Sequence, residues 1–379
     1  MRIIPIASGK GGVGKSMVAA NLAVAFAQAG KRTILVDLDL GASNLHLVIG
    51  HQAPQLGIGT FLGDTRSDFA KVIADTDLPT LKFIPGDTEI PGTATLKVSQ
   101  RQALVKRLLS LNADILVLDL GAGTHQSILE FFLLSGQGII VSAPTVTATL
   151  NAYVFLKNAV FRLMYTAFTK DSRAYAYLEK LRKEGSGLQR LYLPKMLQEI
   201  KNIDGKSYNK FKTHVDRLHP RLIMNLALDP KDADVANKIR RSCEIYLDLK
   251  IEHLGVIYRD SIQETSLAAR MPVTIYKPQS VVSQAIYRIA DKILQSNEDN
   301  FALTDEEINE TFQEASSEAE QDFESKMEYV EELMHSGALS QGDLIETVKT
   351  QQIEITKLKK ENNFLKYALS KAMKQGFKP

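Results

Sequence analysis

Short, uniformly apolar runs alternate with longer amphipathic stretches along most of this chain. Ile3, Ile4 and Ile6 predict a buried first strand, and 32–37 (Arg-Thr-Ile-Leu-Val-Asp), Leu81 to Pro85, 114–119 (Asp-Ile-Leu-Val-Leu-Asp), Gly138 to Ala143, Arg221 to Asn225 and Leu254 to Ile257 repeat the pattern. Between them, the alanine-rich stretch Val18 to Ala29, residues 98–111 and Ser283 to Leu294 carry apolar positions at helical spacing. Pro144-Thr145-Val146-Thr147-Ala148-Thr149 opens another helix, with threonines as candidate caps. Apolar strands separated by helices predict an α/β fold: a doubly wound, mainly parallel sheet with helices on both faces.

The junction of the first strand and the first helix is Gly9-Lys10-Gly11-Gly12-Val13-Gly14-Lys15-Ser16, which fits G-x-x-x-x-G-K-[ST], the phosphate loop of P-loop NTPases. Glycines let backbone approach phosphate, and the amides and the helix N-terminus supply positive potential. Lys15 is expected to reach the β- and γ-phosphates of ATP, and the Ser16 hydroxyl to bind Mg²⁺. Gly11, Gly12, Val13, Gly14, Lys15, Ser16 and Met17 form the expected cradle. Asp119 closes an apolar strand in the Walker B pattern and is expected to hold Mg²⁺ through water.

Lys10, directly after the first glycine, is not required by the general motif. Lys-Gly-Gly-Val-Gly-Lys-Ser resembles the deviant Walker A loop of the MinD/ParA/FlhG ATPases, whose extra lysine crosses a dimer interface to the partner's ATP; the resemblance gives Lys10 that role. Asp37-Leu38-Asp39-Leu40-Gly41-Ala42-Ser43-Asn44-Leu45 resembles the family's switch I. Asp39 matches the aspartate that positions the attacking water, and Asp37 supports the Mg²⁺ shell. The family often has an aspartate where this chain has His46, which reads as an interface or loop residue rather than a ligand. Leu120-Gly121-Ala122-Gly123-Thr124 resembles switch II, and Asn225 matches the residue that reads adenine; an amide donates and accepts at once. Asp260, the segment 268–273 and the 283–294 helix resemble the family's closing elements, so the resemblance covers 1–296 apart from an insert at 166–218.

Composition narrows the class. With 379 residues and 44% hydrophobic content the chain can build one large domain with an appendage, and a net charge of +2 says little about partners. Cys243 is the single cysteine, so no intrachain disulfide and no cysteine metal cluster is expected, which suits a reducing cytoplasm and sets aside the cluster-bearing relatives. Met1-Arg2 leads straight into the first strand without a signal peptide, and no apolar run is long enough to span a membrane.

Two regions depart from the pattern. Residues 166–218 form an insert, expected as two helical pieces broken at Gly185-Ser186-Gly187. Twelve Lys and Arg stand against six acids between Lys170 and Arg217, with Tyr175, Tyr177, Tyr192 and Tyr208 interleaved. It reads either as a patch for nucleic acid, acidic lipid or an acidic protein, or as a solvated hairpin covering the core. Residues 297–343 form an acidic helical or flexible arm: fourteen acids and only Lys326 lie between Glu298 and Glu332, and Ser336-Gly337 and Gly342 mark a break. In 344–379, Leu344, Gln351, Leu358, Leu365 and Ala372 fall at d and Val348, Ile355, Asn362 and Leu369 at a. Glu354 and Glu361 at g face Lys359 and Lys366 at e, the pattern of a parallel two-stranded coiled coil. A helix packed on its own domain and an amphipathic membrane helix using Phe364, Leu365, Leu369, Met373 and Phe377 are the competing readings.

The resemblance implies an ATP-hydrolysing, Mg²⁺-dependent switch. It would form a homodimer with ATP to position or partition a flagellar, polar, division, chromosome or plasmid cargo through an unknown protein partner. Membrane or nucleic-acid contact would run through the basic insert or the C-terminal helix, and the expected place is cytoplasmic, peripheral at a membrane or cell pole. The alternatives are a non-catalytic or slow nucleotide-binding scaffold working through its coiled coil, or another deviant Walker A ATPase.

Overall fold

A computed structural model of the chain describes residues 1–40, 43–52, 56–63, 68–86, 96–183, 192–296 and 304–335, with single positions between 349 and 369. The strands are β1 (Arg2–Ser8), β2 (Thr33–Leu38), β3 (Ala74–Asp75), β4 (Leu81–Ile84), β5 (Ile115–Ala122), β6 (Ile139–Ser142), β7 (Arg221–Ala227) and β8 (Glu252–Tyr258). They form one sheet in the order β3-β4-β2-β5-β1-β6-β7-β8. All pairings are parallel except β3 with β4. The seven expected strands are all present; β3 has two residues and offers no apolar run to detect.

The helices, in chain order, are α1 (Lys15–Gln28), α2 (Leu45–Val48), α3 (Ile58–Gly63), α4 (Val98–Leu109), α5 (Gln126–Phe132), α6 (Val146–Ala167), α7 (Arg173–Lys183), α8 (Leu193–Ile203), α9 (Gly205–Val215), α10 (Ala233–Leu247), α11 (Ser261–Ala268), α12 (Val273–Tyr276), α13 (Val281–Gln295) and α14 (Asp305–His335). The two-residue period of a strand divides the core between the faces of the sheet. In β5, Leu116, Leu118 and Leu120 point to the layer holding α4, α5, α6 and α10, while Ile115 and Val117 point to the layer of α1 and α13. Both faces are covered, so the strands read as unbroken apolar runs. Cys243 is fully buried in α10.

The insert contains three helices among the described residues, not two: α7, α8 and α9. The expected break at 185–187 lies outside them. Asp204 separates α8 from α9 and caps α9, its Oδ1 accepting from the Ser207 amide at 3.0 Å. A capping aspartate followed by glycine restarts a helix here, where the apolar period alone reads as continuous.

The acidic stretch 305–335 is one 31-residue helix. Its first half belongs to the domain: Ile308, Phe312, Ala315 and Ala319 are buried, and the Tyr258 hydroxyl at the end of β8 donates to the Ala319 carbonyl at 2.7 Å. The compact unit therefore runs to Phe323, beyond the boundary at 296 that charge alone suggests, and residues 324–379 form a second unit. Acids on one side of α14 hide the four-residue apolar row on the other. Of the heptad positions, Leu358, Asn362, Leu365 and Leu369 are helical and exposed, as are Glu361 and Lys366. The remaining a, d, e and g positions lie outside the described residues.

Candidate functional site

Strand order places the first three chemical groups side by side. β5 lies between β1 and β2, and Asp119 stands in register with Ile6 on one side and Asp37 on the other. The loop leaving β1 passes directly over this pair. Gly12 and Gly14 take left-handed φ values of 81° and 79°, a conformation that glycine adopts without strain. Gly14 has a second reason to be glycine: a Cβ there would stand 2.2 Å from Asn225 Nδ2. Gly11 and Gly12 face open space, so the loop presents backbone to a ligand with no side chain in the way.

Lys15 is buried, and its Nζ donates to Asp119 Oδ1 at 2.6 Å and lies 3.4 Å from Ser16 Oγ. Asp37 is fully buried. Its carboxylate accepts from the Asp39 amide at 3.0 Å, the Ser43 hydroxyl at 2.6 Å and the Leu45 amide at 3.3 Å, which ties down the turn after β2. Burial, then the neighbouring charge of Asp119, raises the Asp37 carboxyl to about 7. Burial also raises Asp119, against the pull of Lys15, and Asp119 Oδ2 has no partner among the described residues. Two buried acids thus share one lysine. That deficit of positive charge, beside the Ser16 hydroxyl, suits a divalent cation whose shell is completed by water and phosphate oxygens. Among the described residues no three His, Cys, Asp or Glu side chains gather to hold a metal unaided.

Asp39 lies at the mouth of a cavity of about 210 Å³ with Gly121, Ala122 and His125, and its Oδ1 is 3.3 Å from the point a Gly121 Cβ would occupy. The segment 120–124 that resembles switch II is partly strand, because β5 continues through Ala122; Gly123 then turns with φ 96° and its amide donates to the Ser8 carbonyl at 3.1 Å. The structure therefore brings Lys10, Lys15, Ser16, Asp37, Asp39 and Asp119 to one end of the sheet. Lys10 stands apart from the acids: it is exposed, and its Nζ donates to Thr147 Oγ1 on the first turn of α6 at 3.1 Å. Thr145 caps that helix, as the sequence suggests, accepting from the Ala148 amide at 3.3 Å.

A second cavity of about 330 Å³ opens beside the loop, lined by Gly12, Gly14, Met17, Asn21, Asn225, Arg259, Gln263 and Pro272 among others. Asn225 Nδ2 donates to the Val13 carbonyl at 2.8 Å, while its buried Oδ1 is unpartnered. The amide is therefore a buried acceptor facing a base-sized space, rather than the donor and acceptor together. Asn21, Arg259 and Gln263 were not legible as site residues. Asn21 sits inside an alanine-rich helix and is held by Thr274, whose amide and hydroxyl donate to its Oδ1 at 2.9 and 3.0 Å. The Asp260…Gln263 capping box is the signal that could have placed the start of α11 at this wall. His46 is half-buried on the short helix α2, its imidazole pKa lowered chiefly by burial.

A model described as the CobQ/CobB/MinD/ParA nucleotide binding domain matches residues 4–363. The chain is 22% identical to the antiactivator FleN of Pseudomonas aeruginosa over 77% of its own length and 86% of FleN. It is 33% identical to the septum site-determining protein MinD of Synechocystis, over 40% of this chain and only 56% of that protein. Among solved structures, the cell division ATPase MinD of Pyrococcus furiosus superposes with a TM-score of 0.53 at 20% identity, covering 78% of this chain and 98% of that one. A plasmid partition protein of Borrelia burgdorferi bound to AMPPNP gives 0.52 at 18% identity, again over 78% and 98%. These two likenesses concern the fold. With the family model matching nearly end to end, the chain belongs to the MinD/ParA family of nucleotide-binding domains.

Proposed function

We propose that the chain is an ATP-hydrolysing switch of the MinD/ParA type that dimerises on ATP and so positions or partitions a cellular partner. The observation that carries this reading is the division of labour between two lysines of one loop. Lys15 is buried against Asp119, whereas Lys10 is exposed and lightly held by Thr147, free to reach a second molecule. Mg²⁺, when bound, would supply positive charge beside the phosphates. The chain's own groups do the rest. The glycine amides hold the phosphates, Lys15 exchanges Asp119 for phosphate oxygens, and Ser16, Asp37 and Asp119 hold the metal's shell. Asn225 Oδ1 accepts from the adenine amino group. Asp39 orients the attacking water, a contribution of position rather than bond-making. The exposed helical positions Leu358, Asn362, Leu365 and Leu369 support pairing of two chains through 344–379 in the absence of nucleotide. Among the described residues no helix is long and apolar enough to cross a membrane. The working place proposed is the cytoplasm, peripheral at a membrane or pole, with the insert or the C-terminal helix making the outward contact.

Sedimentation of a chain ending at Phe323, which lacks the proposed coil, with and without a non-hydrolysable ATP analogue tests the switch. The wild type is expected to bring its ATPase heads together only with analogue, and Lys10→Ala to bind analogue without that step. Asp39→Ala is expected to bind ATP normally and to hydrolyse it about 10²-fold more slowly in a single turnover. Normal analogue-dependent association of Lys10→Ala, or near-normal hydrolysis by Asp39→Ala, rejects the assigned roles. Tight binding without turnover in the wild type would leave the scaffold reading.

A further inference from the structure

The insert is basic, but its charges are not equivalent. Lys212 is paired with Asp216 at 3.0 Å and lies 3.6 Å from Asp248, and Arg182 is paired with Glu179 at 2.8 Å. Lys201 lies over the Tyr208 ring at 5.6 Å. Lys206, Lys210 and Arg217 are different: all three are exposed, and none has a carboxylate partner among the described residues. On α9 and its continuation, positions 206, 210, 214 and 217 recur at helical spacing and share one face with 209 and 213. The opposite face is the one that holds the helix to the domain, through buried Phe211, Val215 and Leu218. The outward face is thus a fixed row of Lys206, Asn209, Lys210, Thr213, His214 and Arg217, with cations along it and hydrogen-bonding side chains between them. Asp204 is turned back onto the α9 amides and Asp216 is paired with Lys212, so neither forms an ion pair with the row among the described residues.

We propose that this face of α9 binds the sugar–phosphate backbone of nucleic acid. This deepens the reading of the insert as an outward contact and stands independently of the ATPase switch. Unneutralised cations on a helix release counterions from a phosphate chain, and the Asn209 amide is a donor for phosphate oxygens, whereas the Thr213 hydroxyl donates to the Asn209 carbonyl at 3.0 Å. The helix rise puts Lys206 and Lys210 about 6 Å apart along the axis, a span of about two nucleotides of one strand. A membrane is the weaker fit, because an interfacial helix needs outward apolar side chains to bury, and every apolar side chain of α9 at these positions points into the core. The row carries no device for reading base sequence, so binding is to backbone and insensitive to sequence.

The test uses the full chain, without nucleotide, and a labelled random-sequence duplex of about 25 base pairs, read by fluorescence anisotropy between about 50 and 200 mM salt. The wild type is expected to bind, with affinity falling as salt rises. The triple variant Lys206→Glu, Lys210→Glu, Arg217→Glu is expected to lose about tenfold or more in affinity and to lower the slope of log affinity against log salt by about 2–3. A control reversing Lys71 and Lys106, near the other edge of the sheet, should stay within about twofold. The triple glutamine variant gives a smaller loss of the same kind and serves if charge reversal unfolds the insert. Absence of duplex binding at low salt overturns the proposal, as does binding that the triple variant leaves unchanged. So does loss, in the triple variant, of binding to phosphatidylserine vesicles by a protein that ignores the duplex, which would assign the face to a membrane. ATP binding and turnover by the same variants report separately on the switch.

Discussion

Two charged regions among the described residues are arranged differently. At the ends of β1, β2 and β5, Asp37 and Asp119 share a single lysine, and Asp119 Oδ2 and Asn225 Oδ1 are left without partners. Where α14 covers the edge strand β8 and α13, acids of α14 stand beside cations. Arg288 meets Asp322, Lys292 meets Glu314 at 3.3 Å and Glu318 at 3.0 Å, and Lys250 meets Asp305 at 2.8 Å. These pairs flank an apolar row, Ile308, Phe312, Ala315 and Ala319, that does the joining. An unbalanced buried charge walled by glycine marks a place for a ligand; a rim of ion pairs around apolar side chains marks assembly. His253 is the exception at the seam. It is buried against the Phe312 ring, centroids 5.0 Å apart, and neither ring nitrogen has a hydrogen-bond partner among the described residues. Burial, and then the charge of Lys292, lowers its pKa to about 3, so it remains neutral and behaves as part of the apolar row.

The largest effect that would sharpen this contrast is at Lys15. Lys15→Ala leaves two buried acids with no cation and is expected to abolish Mg·ATP binding, a loss of about 10²-fold or more by calorimetric titration. An unchanged affinity would remove the ligand reading of the imbalance. Next is Phe312→Ala, which empties the centre of the seam. It should cost about 3–5 kcal/mol of stability in denaturant unfolding while leaving ATP affinity within about twofold. If nucleotide affinity falls in step with stability, the two regions are one cooperative site and the contrast fails. The smallest effect concerns pH. His253 has its folded pKa below the unfolded value, so its contribution is intact above about 6.5 and is lost as pH falls toward about 3. Between pH 7 and 4.5 that amounts to about 2–3 kcal/mol, and His253→Leu should remove this part of the acid sensitivity, measured by unfolding at both pH values. An unchanged pH profile would show that the imidazole is solvated.

The nucleotide end was largely legible because its chemistry is local in sequence. A glycine loop between a strand and a helix, and acids closing apolar strands, sit on elements that the two-residue and 3.6-residue periods locate well, and the strand order then brings Asp37, Asp119 and Lys15 together. The seam was not legible, because its logic is not local. Four apolar positions of α14 are spread among acids, and their partners on β8, α10 and α13 lie tens of residues earlier. The restart of a helix at Asp204-Gly205 and the two-residue strand β3 fall below what periodicity resolves. Asn225 stands beside the loop, but only the tertiary contact with Val13 shows that its amide nitrogen is taken while its oxygen is not.

Gly9 has a consequence of a mechanical kind. A Cβ at this position would stand 2.1 Å from the Asn151 carbonyl oxygen and 2.8 Å from the Ala152 amide. The first residue of the phosphate loop therefore rests main chain on main chain against the second turn of α6, with no side chain between them to yield. Such a joint transmits displacement stiffly, since there is no rotamer to absorb it. The contact predicts that a phosphate seated in the loop restrains α6. Amide exchange along Val146–Ala167, with and without nucleotide, would measure that transmission, and identical exchange in the two states would show the joint to be idle.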